Sequence, residues 1–280
     1  MDPVKISEDN LEEYSELLPP DIAENMSRDF YRGVALGGSD AGAAAVWELR
    51  DADGESADTT SEMKWLFQRD EESGQELLKS YRKAAAEEFV VRTFYEFPAD
   101  AEGCRELLAA GGFSVEEKEG RDVVTTIGEL NALAIAKGKV PSHVQGVGEL
   151  TIRQYRRGIM DCLFHGHKGM LQDLAKLPMN YFDQEVSSCV FLDDKVNGFL
   201  LVHEMPSGPV FVNYMCAFEP EMRTNLALMI RRSIQKAAEK YPAETAVILR
   251  RYNEATKKLV EKLFPGKKGE MVIAGERKER

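Results

Sequence analysis

The pattern of hydrophobic and polar positions predicts alternating strands and helices along the whole chain. Between residues 62 and 67 the apolar side chains fall on every second position, which predicts a strand. Between residues 73 and 89 they recur at helical spacing, which predicts a helix. The same two periods, with glycine, proline and capping residues at the breaks, predict the other elements. The predicted strands are residues 4–7, 31–37, 43–49, 62–67, 90–97, 114–117, 123–129, 188–192, 198–205, 210–217, 244–251 and 270–274, and the predicted helices are residues 10–18, 21–30, 73–89, 101–110, 151–164, 170–186, 223–241 and 254–264.

The predicted elements follow one order twice. Residues 42–49 align with residues 198–205 at an offset of 156, and Arg69 aligns with Arg223 at an offset of 154. Two further landmarks, a strand and the end of a helix, repeat at nearly the same spacing. They pair residues 89–97 with 246–253, and residues 112–113 with 263–265. A nearly constant offset indicates an internal duplication.

We therefore predict an α/β (α+β) fold of two tandem mixed-sheet domains with helices on both faces. The first domain is expected to span residues 1–135 and the second residues 149–280, joined by a linker over residues 136–148 that contains glycine and proline. A chain of 280 residues gives each half enough length to bury a core of its own.

Charge and composition narrow the function classes. The net charge of −12 and the lack of long basic clusters argue against nucleic acid as a partner, since phosphate contacts need clustered Lys and Arg. The sequence contains no apolar run of membrane-spanning length and no signal-peptide pattern at its start. We therefore expect a cytoplasmic protein with no membrane partner. The four cysteines are widely spaced, as in reduced intracellular proteins.

Four short stretches give the repeated unit a family likeness. They are the hairpin strand 196–202, the strand end and Pro-Glu-x-Arg sequence of residues 217–223, Asn253 before a helix, and the Gly-Gly-Phe at the end of residues 107–113. Together with the order of elements, these stretches resemble the GNAT N-acetyltransferase superfamily over nearly the whole chain, as two tandem copies. The resemblance implies an acetyl-CoA-dependent N-acyltransferase acting on a primary amine of a small molecule or protein. The alternative is a non-catalytic GNAT-like binding or scaffolding protein that has lost catalysis.

The resemblance also implies where acetyl-CoA would bind. The family pattern Arg/Gln-x-x-Gly-x-Gly/Ala opens a helix whose N-terminal N–H groups and dipole favour an anionic pyrophosphate. In the second half, Arg223, Thr224 and Asn225 would hold the pyrophosphate, although leucines replace both glycines. The resemblance adds a second set, in which the strand residues Met215, Ala217 and Phe218 would pair with the pantetheine amides and Asn253 would fix a strand end.

The alternative cofactor site lies in the first half, at Arg69 and Gly74. There the acids Asp70, Glu71 and Glu72 would repel a pyrophosphate, so the second half is preferred. Both loops could instead be ordinary helix starts.

Catalytic residues are harder to assign. The tyrosine that many family members use as general acid falls on Val260 in one half and Leu108 in the other, and neither side chain can donate a proton. The candidate general base is Glu204 or His203, with Glu48 at the matching position of the first half. Adjacent strand residues face opposite sides, so only one of the pair can face a cleft. The alternative interpretation is a solvated Glu and a hydrogen-bonded structural His, without a catalytic role.

The sequence contains one group of residues with metal-ligand side chains. Cys162, His165 and His167 carry ligand-type side chains, but no fourth ligand is evident nearby, so we expect no metal. The acceptor substrate and the oligomeric state are left open by the sequence.

Overall fold

The computed structural model describes residues 2–37, 42–50, 58–101, 103–164, 175–218, 221–251 and 253–279. The strands are β1 Pro3–Ile6, β2 Tyr31–Leu36, β3 Ala43–Arg50, β4 Thr59–Gln68, β5 Val90–Pro98, β6 Glu116–Glu119, β7 Asp122–Thr126, β8 Val144–Gly146, β9 Ser188–Leu192, β10 Lys195–Glu204, β11 Val210–Ala217, β12 Ala246–Arg250 and β13 Met271–Lys278. The α-helices are α1 Pro20–Asn25, α2 Glu71–Glu87, α3 Cys104–Ala110, α4 Ile127–Ala132, α5 Ile152–Phe164, α6 Met222–Lys240 and α7 Glu254–Leu263. Short 3₁₀ helices occupy Glu8–Tyr14, Ala134–Ala136, Val147–Glu149 and Met179–Tyr181.

The chain divides into two compact units, each built on one mixed sheet. Unit 1 comprises residues 1–120 and 270–280, and unit 2 comprises residues 121–269. The unit 1 sheet has seven strands in the order β1-β2-β3-β4-β5-β13-β6, and the unit 2 sheet has six in the order β7-β12-β11-β10-β9-β8. In each sheet one central pair is parallel, β4 with β5 and β11 with β12, and the other neighbours are antiparallel.

The division differs from the predicted domain boundaries because β7, from the first half of the chain, joins the unit 2 sheet, whereas β13, from the second half, joins the unit 1 sheet. Strands β6 and β7 are almost consecutive in the chain, yet β6 belongs to the unit 1 sheet and β7 to the unit 2 sheet. The last strand, β13, returns to unit 1, where it pairs with both β5 and β6. Residues 121–135 therefore belong to unit 2 and residues 270–280 to unit 1, although the sequence placed each in the other half.

The sheet of unit 1 is covered on both faces. One face packs against α2 and α3 through a cluster that includes Trp47, Leu77 and Tyr81. The other face packs against the N-terminal segment through Tyr14 and Leu18. Successive residues of β3 pack alternately into these two clusters, since successive side chains of a strand point to opposite faces.

Unit 2 repeats this arrangement. The face of its sheet that carries Leu200 and Val202 packs against α4 and α6. The opposite face, with Phe199 and Leu201, packs against α5. Among the residues that the structure describes, no helix has the length and apolar character that a bilayer crossing requires.

The predicted helix over residues 170–186 is corrected where the structure describes it. Residues 175–176 are helical, but the chain then turns and forms only the short 3₁₀ helix Met179–Tyr181. The break follows from Pro178, which has no N–H to donate and whose ring disfavours a helical residue before it. Residues 170–174 lie outside the described part of the chain.

The predicted linker is also structured. The 3₁₀ helix Ala134–Ala136 reaches its first residue, residues 144–146 form the edge strand β8, and the 3₁₀ helix Val147–Glu149 begins near its end. Glycine and proline mark turns in this stretch, but Ala136 and Val144 are buried in the unit 2 core. The stretch therefore belongs to unit 2.

A β-bulge recurs at the same place in both sheets. In unit 1, Val46 pairs with Trp65 and Trp47 with Met63, so Lys64 is an additional residue in β4. Such a bulge bends its strand and increases the local twist.

The unit 2 bulge follows the same scheme on β11. Leu201 pairs with Tyr214 and Val202 with Val212, which leaves Asn213 as the additional residue. Both bulges lie on the strand that forms the parallel pair of its sheet. The two sheets are therefore related in register as well as in strand order.

Candidate functional site

The two parallel strands of unit 2 separate soon after they meet. β11 and β12 pair only at Val210 with Val247 and at Phe211 with Ile248. β11 continues for six more residues to Ala217, and it pairs along that length with β10 on its other side. The edge of β11 that faces away from β10 therefore borders an opening between the strands.

A cavity of about 130 Å³ lies at this opening. Its walls come from β10, β11, β12, α4, α6 and α7, and most of them are aliphatic. The polar residues that line it are Asn213, Tyr214, Ser233, Arg250, Asn253 and Thr256. Asn213 is the bulge residue, and its side-chain oxygen is buried without a hydrogen-bond partner in the described structure. The cavity is thus apolar with a few polar groups at its edge, as small-molecule sites usually are.

The predicted cofactor residues fall at different places around this cavity. Met215 and Asn253 line it, whereas Ala217 is buried in the core. Phe218 packs against the cluster on the α5 face. Asn253 also caps α7, since its side chain accepts a hydrogen bond from the Thr256 N–H at 3.0 Å. Residues 219–220, in the predicted loop, lie outside the described part of the chain.

The N-terminus of α6 follows β11 in the chain. Its N-cap residue Glu221 makes no side-chain hydrogen bond to the helix, and the first turn contains no acid. Arg223 and Thr224 are exposed, whereas Asn225 is buried with its side-chain oxygen unpartnered. A helix start of this kind favours an anion.

The corresponding helix start in unit 1 is closed. The Asp70 carboxylate accepts a hydrogen bond from the Ser73 N–H at 2.8 Å, and this bond lowers the pKa of Asp70. Gly74 is buried against the Gln68 side chain, which in turn donates to the Gly103 carbonyl at 3.1 Å. Arg69 is exposed beside this cap. Unit 1 therefore supplies its own anion where a phosphate would have to bind.

The burial pattern corrects the predicted alignment of these two helices. The buried residues of α2 match those of α6 at a spacing of 152, which pairs Leu77 with Met229 and Tyr81 with Ser233. The arginine landmarks had suggested 154. At the observed spacing Arg223 corresponds to Glu71, so the two arginines do not occupy equivalent positions.

The structure also places both catalytic candidates away from the cavity. Glu204 ends β10, and its exposed carboxylate accepts a hydrogen bond from the Tyr241 hydroxyl at 2.9 Å. His203 is buried on the opposite face, where its Nδ1 lies 2.8 Å from the Tyr181 carbonyl oxygen and its ring stacks on Tyr181. Neither side chain lines the cavity.

The bulge register changes the residue that matches Glu48. Because Trp47 and Val202 occupy the same position beside their bulges, Glu48 corresponds to His203 and not to Glu204. Glu48 is buried among Arg50, Glu62 and Lys64, with Lys64 Nζ 2.9 Å from its carboxylate. The duplicated position therefore carries a buried ionic cluster in one unit and a stacked histidine in the other.

Metal-type side chains do not come together in the part of the chain that the structure describes, where no group of three His, Cys, Asp or Glu could hold an ion. His165 and His167 lie outside the described residues. Cys162 is buried on α5 with its Sγ 3.4 Å from that of Cys216. Cys104 and Cys189 are buried as well.

The order of strands, the recurring bulge and the diverging parallel pair are the features to compare with known proteins. No protein-family model matches the sequence, and no curated protein matches it. A tandem GNAT protein from the clavulanic acid biosynthesis pathway matches with a TM-score of 0.65 at 13% identity, over 100% of this chain and 98% of that one.

Two other solved structures agree with this match. A GCN5-related N-acetyltransferase from Kribbella flavida matches with a TM-score of 0.55 at 13% identity, over 97% of this chain and 95% of that one. A protein from Enterococcus faecalis described as a probable N-acyltransferase matches with a TM-score of 0.53 at 10% identity, over 99% of this chain and 72% of that one. The chain has the tandem GNAT fold, and the fold prediction is confirmed.

Sequence reasoning missed the bulge residue Asn213. The strand 210–217 shows it as one polar position among apolar neighbours, which is a weak signal, and a bulge cannot be located without the partner strand.

Proposed function

We propose that this protein is an acetyl-CoA-dependent N-acyltransferase whose acyl-donor site is the cleft of unit 2 between β11 and β12. The acceptor is a primary amine of a small molecule or protein. The observation that carries the proposal is the conjunction of an open, apolar cleft with a helix N-terminus that no side chain caps, at the end of the same strand. The three solved structures of this fold, two of them described as acyltransferases or probable acyltransferases, agree with it.

The residues around the cleft fit the parts of acetyl-CoA. The aliphatic walls suit the apolar portion of the pantetheine arm, and the free edge of β11 near Met215 offers backbone groups for its amides. Arg223, Thr224 and the first N–H groups of α6 would hold the pyrophosphate. Leu226 stands where the family pattern has glycine, so the phosphates would approach this helix start differently from the family pattern.

The proposed acyl transfer needs little acid–base catalysis. The amine nitrogen forms a bond to the thioester carbonyl carbon, the carbon–sulfur bond breaks, the nitrogen loses a proton and the leaving sulfur gains one. None of the described residues that line the cavity carries a carboxylate or an imidazole. The protein would therefore act mainly by holding the two reactants in place, which can supply a large part of a rate enhancement. Glu204 or His203 would act as the base only after moving towards the cavity or through a bridging water.

Calorimetry with acetyl-CoA on the full chain tests the proposal. We expect Arg223→Glu to weaken binding about tenfold or more, because it places a carboxylate beside the pyrophosphate at the open helix start. Arg69→Glu makes the same change in charge beside the capped helix of unit 1 and should leave the affinity unchanged. Absence of binding at millimolar acetyl-CoA, or a larger loss with Arg69→Glu, would contradict the assignment.

The alternative is a binding or scaffolding protein without catalysis. One observation favours it, since the apolar Val260 occupies the position of the family's acid and is buried in unit 2. Release of free thiol from acetyl-CoA in the presence of a panel of primary amines separates the two functions. Binding that depends on Arg223 without any thiol release would support the alternative.

A further inference from the structure

A second cavity, of about 410 Å³, lies wholly within unit 1, between the edge strand β1, its neighbour β2 and the C-terminal half of α2. The cavity lies along α2 on the C-terminal side of its Asp70 cap, and the proposed acyl-donor site lies in the other unit. Its walls combine an apolar floor with a charged rim. Val34 and Trp47 form the buried floor, and Lys5 and Lys83 are exposed at the rim.

The cations of the rim are only partly neutralised. Arg32 is held by the Glu88 carboxylate at 2.8 Å, and Lys79 forms an ion pair with Glu76. Lys5 and Lys83 make no ion pair with any residue that the structure describes. Four cations and two carboxylates, Glu87 and Glu88, line the cavity, so in a chain of net charge −12 it is a local site of positive charge above the buried Trp47 indole.

Helix α6 of unit 2 corresponds to α2, and it shows what side chains at these helix positions can bind. There, Arg231 donates to the carbonyl oxygens of Ile135 and Lys139 at 3.0 and 3.1 Å. Gln235 donates to the carbonyl oxygens of Ala136 and Gly138 at 2.8 and 3.0 Å. The segment that carries these oxygens leads into β8, which is the counterpart of β1 as the edge strand.

At the spacing of 152 that relates the two helices, Lys79 corresponds to Arg231 and Lys83 to Gln235. The same two helix positions therefore bind acceptor oxygens in unit 2 and line an open cavity in unit 1. Where unit 2 has the donors of a guanidinium and an amide, unit 1 has two ammonium groups, which favour charged acceptors over neutral carbonyls.

We propose that the unit 1 cavity binds a small organic anion, with a carboxylate or phosphate on the lysine rim and an apolar body against Trp47. The indole of Trp47 is well placed to report such binding. It lines the cavity, and its N–H has no hydrogen-bond partner in the described structure. The chain contains two tryptophans, and the other, Trp65, donates its N–H to the Leu17 carbonyl at 2.9 Å. Trp65 packs on the opposite face of the sheet and serves as an internal control.

The test is a titration of the full chain, labelled with ¹⁵N in its indole groups, with phenyl phosphate. The Trp65→Phe variant assigns the two indole signals. We expect saturable movement of the Trp47 signal while the Trp65 signal stays in place, and Lys83→Glu should weaken the apparent affinity about tenfold or more. Lys118→Glu, the same change at an exposed position of β6, should leave it unchanged.

Three further measurements test whether the unit 1 cavity binds an anion with an apolar body. Inorganic phosphate should bind more weakly than phenyl phosphate, because it lacks the apolar body, and benzyl alcohol should not compete. Acetyl-CoA binding should survive Lys83→Glu, so failure of the acyltransferase proposal leaves this one testable. An unmoved Trp47 signal at millimolar phenyl phosphate, equal movement of both indoles, or equal weakening by Lys83→Glu and Lys118→Glu would overturn the assignment.

Discussion

Four charged side chains lie close together inside unit 1, on the neighbouring strands β3 and β4. Lys64 Nζ is 2.9 Å from Glu48 and 3.1 Å from Glu62, and Arg50 contacts both carboxylates. Burial by itself raises the pKa of Glu48, but the charges of Lys64 and Arg50 outweigh burial and hold that pKa below its usual value. The cluster is neutral in sum, so each cation is needed to offset a buried carboxylate.

Removing one of these cations should destabilise unit 1 in a pH-dependent way. We expect Lys64→Met to lower the free energy of unfolding by about 3 kcal/mol at pH ~7, because two buried carboxylates are left with one guanidinium. Because the pKa of Glu48 is lower in the folded chain, its carboxylate stabilises the fold above the pKa of an unfolded Glu, about 4.3, and this stability is lost as pH falls through the lower folded pKa. The loss in Lys64→Met should therefore shrink towards pH ~4, where the carboxylates become protonated.

Urea unfolding followed by tryptophan fluorescence measures this effect, since both tryptophans lie in unit 1. Lys118→Met removes an exposed lysine of β6 and is the matched control. An equal, pH-independent loss in the two variants would show that the cluster contributes nothing beyond a surface charge.

Most elements could be predicted because their signals are local. The helical spacing of Leu77, Tyr81 and Ala85, and the alternation around Trp65, are set by periods within one segment. The bulges and the register of the two copies could not be found in this way, because they depend on which residue lies opposite on a partner strand. That is why the sequence paired Arg69 with Arg223 and Glu48 with Glu204, and why Asn213 went unnoticed.

The start of α7 gives a prediction that separates a capping role from a binding role. Asn253 and Thr256 form a reciprocal cap, each accepting from the other's backbone N–H at 3.0 Å. Asn253→Ala should cost about 1 kcal/mol and reduce hydrogen-exchange protection in α7, whereas Asn253→Asp should retain the cap.

Acetyl-CoA affinity of these variants completes the comparison. If Asn253 only caps the helix, then Asn253→Asp should bind acetyl-CoA like the unmodified chain. A loss of affinity in Asn253→Asp at unchanged stability would instead give Asn253, which lines the cavity, a direct part in binding.

At the scale of the whole molecule, the exchange of β7 and β13 is the feature that sequence could least reveal. Both strands contain β-branched residues, which predict a strand but not the sheet that it joins. Only the pairing of each strand shows which sheet it belongs to. β7 pairs along β12, and β13 pairs along β5 over residues 272–278. Linear domain boundaries, drawn from glycine and proline content, assume that chain order and sheet membership coincide, and here they do not.

The exchange makes a strong prediction for a truncated chain. Ending the protein after Gly269 removes β13, whose Ile273 and Ala274 are buried, together with Arg277 and Glu279, which form an ion pair. We expect the loss to fall on unit 1, at about 3 kcal/mol or more, because apolar burial and a sheet neighbour are both lost. Hydrogen exchange should show lower protection in β5, residues 90–98, while β10 and β11 keep theirs. A chain ending at Glu279 is the control. Loss of protection in β12 with β5 unaffected would mean that the last strand belongs to the second copy, as simple tandem domains require.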